Sequence, residues 1–240
     1  MPAPLHTQTV IAFVWDFDKT LIPSNMQDPI FAEYGVDANE FWTEVDHLVE
    51  HYAREGVIVQ KDTAYLGHLL TYVREGVFGD LSNAKLRKLG AELEPVPGMP
   101  AFMQAVQDHV AEVPEFVAEG IAVEHYIVST GLREMIEGSV FGPVVDGVWA
   151  NTFIEHVAEP GFLDRLPVAH PSSPISQVGY TIDNTSKTKA LFEINKGINF
   201  SPELDVNARM SGDQRRVPMK NMIYIADGPS DVPAFSILNT

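Results

Sequence analysis

Two aspartates, Asp16 and Asp18, stand directly after an unbroken apolar run, Val10–Trp15. A run of this kind is typical of a strand that is buried on both faces. Because buried parallel strands end at the crevice where α/β proteins bind ligands, the sequence predicts two carboxylates and the Thr20 hydroxyl at a ligand site. Asp is also common where a strand turns into a loop, so the pair alone does not establish chemistry.

A second apolar run, Met222–Ala226, ends in Asp227. Gly228 and Pro229 predict a turn after it, and Asp231 follows that turn. Asp231 could cap the next helix or contribute to the same ligand site. Both interpretations are open at this point.

A third run, His125–Val128, ends in Ser129 and Thr130, and the pattern predicts a helix after Gly131. The free backbone N–H groups at such a helix start can bind an anion. A simple Ser or Thr cap is the common alternative.

Lys187 lies near the start of a fourth segment, in which Ala190, Leu191 and Ile194 have helical spacing. A cation is unfavourable at that end of the helix dipole. This placement indicates that Lys187 has a function other than that of an ordinary surface lysine, although most lysines are simply solvated.

Taken in order, the four segments resemble the motifs of the haloacid dehalogenase (HAD) superfamily. Asp16 to Thr20 matches its DxDxT motif, Ser129 and Lys187 match the second and third motifs, and Asp227 to Asp231 matches the DGxxD form of the fourth. The resemblance covers nearly the whole chain. It is strongest to the phosphoserine-phosphatase-like branch, whose pattern after the second motif is similar to Asp146–Asn151.

The resemblance implies an α/β fold, with a Rossmann-like parallel sheet core flanked by helices and an inserted α-helical cap of the C1 type. Residues 1–22 and 97–240 would form the core and residues 23–96 the cap. Helical patterns are present at 28–34, 39–54, 60–75, 82–90 and 99–113. Residues 148–156 and 177–183 are predicted to be short strands, one at the edge of the core sheet and one in a small hairpin.

The resemblance also implies a phosphatase mechanism with an aspartyl-phosphate intermediate. Asp16 would be the nucleophile, and Asp18 would protonate the leaving group and then activate water. Lys187 would neutralise the phosphate charge, with Lys189 as the alternative lysine. Ser129, Thr130 and nearby backbone N–H groups would hold the phosphate oxygens. The dehalogenases of the superfamily lack the second Asp, which favours a phosphatase.

Mg²⁺ is the cofactor that the resemblance implies, because it prefers oxygen ligands and tolerates bound waters. The Asp16 and Asp227 carboxylates and the Asp18 backbone carbonyl would hold the ion. Asp231 would hold those ligands in position without binding the ion itself. Thr20 would orient the first loop.

The substrate is expected to be a small phosphate monoester. Phosphoserine phosphatases place a Glu nine residues after the nucleophile, where this chain has Asn25. Asn25 and Gln27 are therefore candidate substrate contacts, and phosphoserine is expected to be a poor substrate. The alternatives are a phosphotransferase, a phosphonatase using Lys61 for a Schiff base, and a catalytically silent protein that binds a phosphate ligand.

The bulk properties restrict the partners. The 240 residues carry a formal net charge of −17, which disfavours nucleic acid binding. There is no cysteine, so thiol chemistry and disulfides are excluded. Because no signal peptide or membrane-spanning run is evident, we expect a cytoplasmic protein without membrane partners.

The chain ends at Thr240, nine residues after Asp231. HAD proteins resembling this one continue with a further strand beside the fourth-motif strand. We therefore expect the fourth-motif strand to lie at an uncovered edge of the sheet. Either this chain is a truncated version of a longer protein, or self-association covers the edge.

Overall fold

The computed structural model describes residues 8–165, 169–201 and 203–239. Five strands form one sheet, and their bounds are β1 (Val10–Trp15), β2 (Ala122–Leu132), β3 (Gly147–Ile154), β4 (Gln177–Tyr180) and β5 (Met222–Ile225). Their order across the sheet is β4-β3-β2-β1-β5. All neighbours pair in parallel except β4, which is antiparallel to β3.

This mixed sheet with helices on both faces confirms the predicted α/β class. The strands predicted at 148–156 and 177–183 are present as β3 and β4, but β4 rather than β3 forms the edge of the sheet. The fourth-motif strand, β5, forms the other edge.

The helices are α1 (Asp28–Tyr34), α2 (Ala38–Ala53), α3 (Lys61–Arg74), α4 (Asn83–Gly90), α5 (Ala101–Glu112), α6 (Pro114–Ala118), α7 (Arg133–Gly138), α8 (Ser186–Lys196) and α9 (Val232–Leu238). Their starts follow local capping chemistry in two cases. The Asp37 side chain accepts the Asn39 N–H at 2.7 Å before α2, and Ser82 Oγ accepts the Lys85 N–H at 3.1 Å before α4. None of the helices in the described part of the chain combines the length and apolar character that a membrane span needs.

The two faces of the sheet follow from the alternation of side chains along β1. Ala12 and Val14 belong to the apolar layer under α8 and α9. Phe13 and Trp15 point into the larger layer on the opposite face, which also holds the apolar side chains of α1 to α4. The helical segment between β1 and α5 therefore shares one continuous apolar core with the sheet.

The chain enters and leaves this helical segment at adjacent points, since the Val96 N–H donates to the Leu21 carbonyl at 2.9 Å. Helix α4 also lies close against α7. A Cβ on Gly90 would overlap the Met135 carbonyl oxygen, so only glycine permits this approach. The cap limits of 23 and 96 remain a prediction.

Candidate active site

Parallel pairing aligns β1, β2 and β5 at the carboxyl end of the sheet. Trp15 at the end of β1 pairs with Ile127 of β2 and Ile225 of β5. The Asp16 N–H then donates to the Ile225 carbonyl at 2.9 Å, which continues the ladder by one residue. Asp16 and Asp227 follow β1 and β5, and Ser129 lies two residues beyond Ile127 within β2, so the three residues reach the same end of the sheet, as the sequence pattern predicts.

Lys187 is the centre of this cluster. It is only 1% exposed, and its Nζ donates to Asp16 Oδ1 at 2.8 Å and to Asp231 Oδ1 at 2.7 Å. Burial raises the pKa of the Asp16 carboxyl, and the neighbouring Lys187 ammonium opposes that shift. Lys187 thus serves as the shared counter-charge of two buried carboxylates.

Lys189 is placed differently from Lys187. Its Nζ lies 3.3 Å from Glu193 on the same helix, with about half of its side chain exposed. Lys61 is likewise on the surface, 3.5 Å from Asp46. Of the three candidate lysines, Lys187 is the one that contacts the aspartates at the strand ends.

Asp231 is held by three donors. Besides Lys187, the Tyr224 hydroxyl donates to its Oδ1 at 2.6 Å and the Ser230 hydroxyl donates to its Oδ2 at 2.8 Å. Asp231 is fully buried, whereas Asp227 is exposed. Its bonding is consistent with a residue that fixes the geometry of the site.

The donor set fits a hard divalent cation. One carboxylate oxygen each from Asp16, Asp227 and Asp231 lies within 4.8 Å of the others. Three carboxylates with one ammonium leave an excess of negative charge, and oxygen ligands of this kind suit Mg²⁺. The Asp18 side chain is outside this set in the described residues.

Asp18 lies in the first loop beside these groups. Its Oδ1 accepts the Met26 N–H at 3.1 Å. Burial, and next the charge of Asp16, raise the pKa of Asp18 to about 7. A carboxyl with this pKa can hold a proton at neutral pH and release it, which suits a general acid. Thr20 Oγ1 is buried in the same loop without a hydrogen-bond partner among the described atoms.

Ser129 lies at an irregular point of β2, because the pairing with β3 shifts register between Val128 and Leu132. The Gly131 N–H donates to Ser129 Oγ at 3.0 Å. The carbonyl of Thr130 accepts the Tyr65 hydroxyl at 2.6 Å. Ser129 is therefore buried in a bulge whose backbone does not follow the ladder.

Tyr65 was not among the residues that the sequence indicated. A buried tyrosine in a helical pattern looks like ordinary core packing, and only the fold shows its hydroxyl against the end of β2. Gln27 is buried as well. Asn25 is half-buried, and its carbonyl accepts the Asp28 N–H at 3.2 Å.

No family model matches the chain. A protein of Borreliella burgdorferi, described as uncharacterized, is 42% identical over 234 residues, which cover 97% of this chain and 79% of that protein. Among solved structures, a HAD family hydrolase from Salmonella enterica serovar Typhi superposes with a TM-score of 0.55 at 15% identity, over 98% of this chain and 60% of that one.

A phosphoserine phosphatase, solved as a phospho-aspartyl intermediate analogue, gives a TM-score of 0.51 at 16% identity, over 95% of this chain and 83% of that one. The same enzyme class in apo form gives 0.51, again at 16% identity, over 94% and 82% of the two chains. At these identities the likeness shows a shared fold.

Proposed function

We propose that this chain, which belongs to the same family as the Borreliella burgdorferi protein and has the phosphoserine-phosphatase-like fold of the HAD superfamily, is a magnesium-dependent phosphatase for small phosphate monoesters. The shared fold supports the family resemblance of the sequence. The observation that carries the proposal is the buried contact of Lys187 with Asp16 and Asp231, with Asp18 in the adjoining loop, where its Oδ1 accepts the Met26 N–H.

In the first proposed step, an Asp16 oxygen attacks phosphorus and the bond to the leaving oxygen breaks. Asp18 gives its proton to that oxygen, so the alcohol leaves neutral. Asp16 then carries the phosphoryl group as an acyl phosphate. Ser129 and Lys187 hold the non-bridging oxygens, which is the main electrostatic task in phosphoryl transfer.

In the second proposed step, Asp18 takes a proton from water, which attacks the phosphorus of the acyl phosphate. Inorganic phosphate leaves, and the Asp16 carboxylate is restored. One residue thus acts as acid and then as base, which requires a pKa near the working pH.

Mg²⁺ would be held by the Asp16 and Asp227 carboxylates and the Asp18 backbone carbonyl. The bound ion would neutralise charge on the phosphate as it is transferred. Asp231, fixed by Lys187 and Tyr224, would keep the ligands in place. The net charge of −17 supports a small ester rather than a nucleic acid as the substrate.

The first experiment is a screen of phosphorylated metabolites with Mg²⁺ or with excess EDTA. We expect turnover of some esters with Mg²⁺, no turnover in EDTA and none in Asp16→Asn. Lys189→Met is the matched control and should retain activity, because Lys189 is exposed and bound to Glu193. Full activity in EDTA would contradict the proposed dependence on Mg²⁺. An active Asp16→Asn would contradict the assignment of Asp16 as the nucleophile.

The second experiment separates the role of Asp18 by leaving group. Asp18→Asn should lower kcat/KM for alkyl phosphates by ~10²–10⁴-fold and for aryl phosphates much less, because aryl oxides leave without a proton. Equal losses on both classes would show that Asp18 is not the acid.

Phosphoserine should be a poor substrate, because Asn25 stands where phosphoserine phosphatases have a Glu. A kcat/KM for phosphoserine far above that for every other ester would overturn this expectation about the substrate.

A further inference from the structure

The bulge that presents Ser129 leaves backbone groups without ladder partners. Val128 pairs with Trp149, and the next paired residue of β2, Leu132, pairs with Asn151. The chain of β2 is therefore longer than that of β3 between these two points. A buried carbonyl freed in this way needs another donor.

That donor comes from helix α3, far away in sequence. The Tyr65 hydroxyl donates to the Thr130 carbonyl at 2.6 Å. Asn151 Nδ2 donates to the same carbonyl and also, at 3.0 Å, to the Tyr65 oxygen. Its Oδ1 accepts the Ile182 N–H at 2.7 Å. The bulge, α3 and the segment leading to α8 are thus joined by one buried network.

Both side chains that donate to the Thr130 carbonyl are buried. Tyr65 is 5% exposed and Asn151 is 1% exposed. Burial raises the pKa of the Tyr65 hydroxyl well above its usual range, so the hydroxyl stays protonated and available as a donor. Without it, the Thr130 carbonyl would keep only the Asn151 amide.

The same helical segment also holds the other side of the bulge. The Leu132 N–H donates to Met26 Sδ at 2.9 Å. A Cβ on Gly131 would overlap the Met26 side chain, so the two are in close contact. The bulge is therefore held from both sides by residues between β1 and α5.

We propose that Tyr65 is a positioning residue for phosphate: through the Thr130 carbonyl it sets the shape of the bulge that carries Ser129. The inference rests on the proposed phosphatase function and adds a dependence of phosphate binding on the docking of α3. Tyr65 does this without touching the substrate.

The test compares Tyr65→Phe with Tyr72→Phe. Both changes remove one hydroxyl from α3 and keep the ring. The Tyr72 hydroxyl donates to Glu44 at 2.7 Å, away from β2. The probe is inorganic phosphate with Mg²⁺, with binding measured by titration calorimetry and KM measured with an aryl phosphate. Thermal melting of both variants sets an assay temperature well below the lower melting point.

We expect Tyr65→Phe to weaken phosphate binding ~10–100-fold, by analogy with the loss of metal affinity or activity when the hydrogen-bond partners of metal ligands are removed, and to raise KM in parallel. Tyr72→Phe should bind phosphate like the unchanged protein. If the unchanged protein binds phosphate and both variants bind it equally well, the positioning role of Tyr65 is wrong. If the unchanged protein binds no phosphate, the proposed function falls together with this inference.

Discussion

Replacing Lys187 by Met tests the electrostatic arrangement of the site most directly. The change keeps a long apolar stem and removes the ammonium. Asp16 and Asp231, which lie 2.8 and 2.7 Å from Nζ, then lose their shared counter-charge. Because Lys187 is buried, water cannot readily replace the lost ammonium.

The expected cost follows from that burial. Removing one partner of a buried ion pair destabilises a protein by ~3–5 kcal/mol, and here one cation serves two carboxylates. For a chain of this size, that corresponds to a fall in Tm of roughly 6–20 °C. Lys189→Met is the control: its exposed pair with Glu193 contributes ~0–1 kcal/mol.

The free energy of unfolding that Lys187→Met loses should increase with pH. Without the lysine, nothing opposes the effect of burial, so the folded-state pKa of Asp16 rises further above the unfolded value of ~3.9. The penalty is then absent below the unfolded pKa and grows as pH rises through the folded-state pKa. Denaturant unfolding in EDTA should show a larger gap between the two variants at pH 8 than at pH 5.

Two results would refute this reasoning. A Lys187→Met protein within ~1 kcal/mol of Lys189→Met at both pH values would mean that the lysine is not the counter-charge. A gap that widens as pH falls would mean that the carboxylates are not the groups left unpaired. In a separate assay with Mg²⁺ and without denaturant, Lys187→Met should be inactive and Lys189→Met active.

Three further predictions concern stability and assembly. Gly90→Ala should cost ~1–3 kcal/mol, because its Cβ would overlap the Met135 carbonyl oxygen, whereas Gly67→Ala, with open space around it, should be neutral or stabilising in the same denaturation assay. His125 has a pKa lowered by burial, so its contribution to stability is complete above ~6.5 and is lost as pH falls below that; the unfolding free energy of His125→Gln should depend less on pH over pH 5–7. We propose self-association through the edge strand β5, so Ile223→Lys, at an exposed position of that strand, should reduce the mass seen by light scattering; an unchanged mass would contradict it.

The sequence predicted the strand ends well because strand burial and strand direction leave a clear pattern. A short apolar run that ends in Asp16 or Asp227 is typical of a strand leaving the sheet, although β5 lies at the edge and is only partly buried. Once two such strands are parallel, their ends must meet. The placement of Lys187 followed less from its own surroundings in sequence than from the family resemblance.

The contacts of Tyr65 could not be predicted in that way. Its partner Thr130 is distant along the chain, and nothing in the helical pattern of α3 distinguishes its ring from those that only pack. The position of β4 at the edge of the main sheet was also not predictable, because a short strand carries little information about its partner. These features depend on how distant segments dock, which a local pattern does not contain.

The charges at the site explain how so acidic a chain could bind an anion. Asp16, Asp227 and Asp231 oppose the single ammonium of Lys187, so the cluster is already negative before a phosphate ester arrives with up to about two more charges. Lys187 cannot neutralise that sum, and two of its three donors already bind carboxylates, which leaves one for a phosphate oxygen. A phosphate could therefore enter only with a divalent cation on the aspartates. On this argument the metal and the phosphate should bind cooperatively, so that calorimetric titration with phosphate alone gives little heat and titration in the presence of Mg²⁺ gives a clear isotherm; equal binding with and without Mg²⁺ would show that the chain has another way to balance the charge.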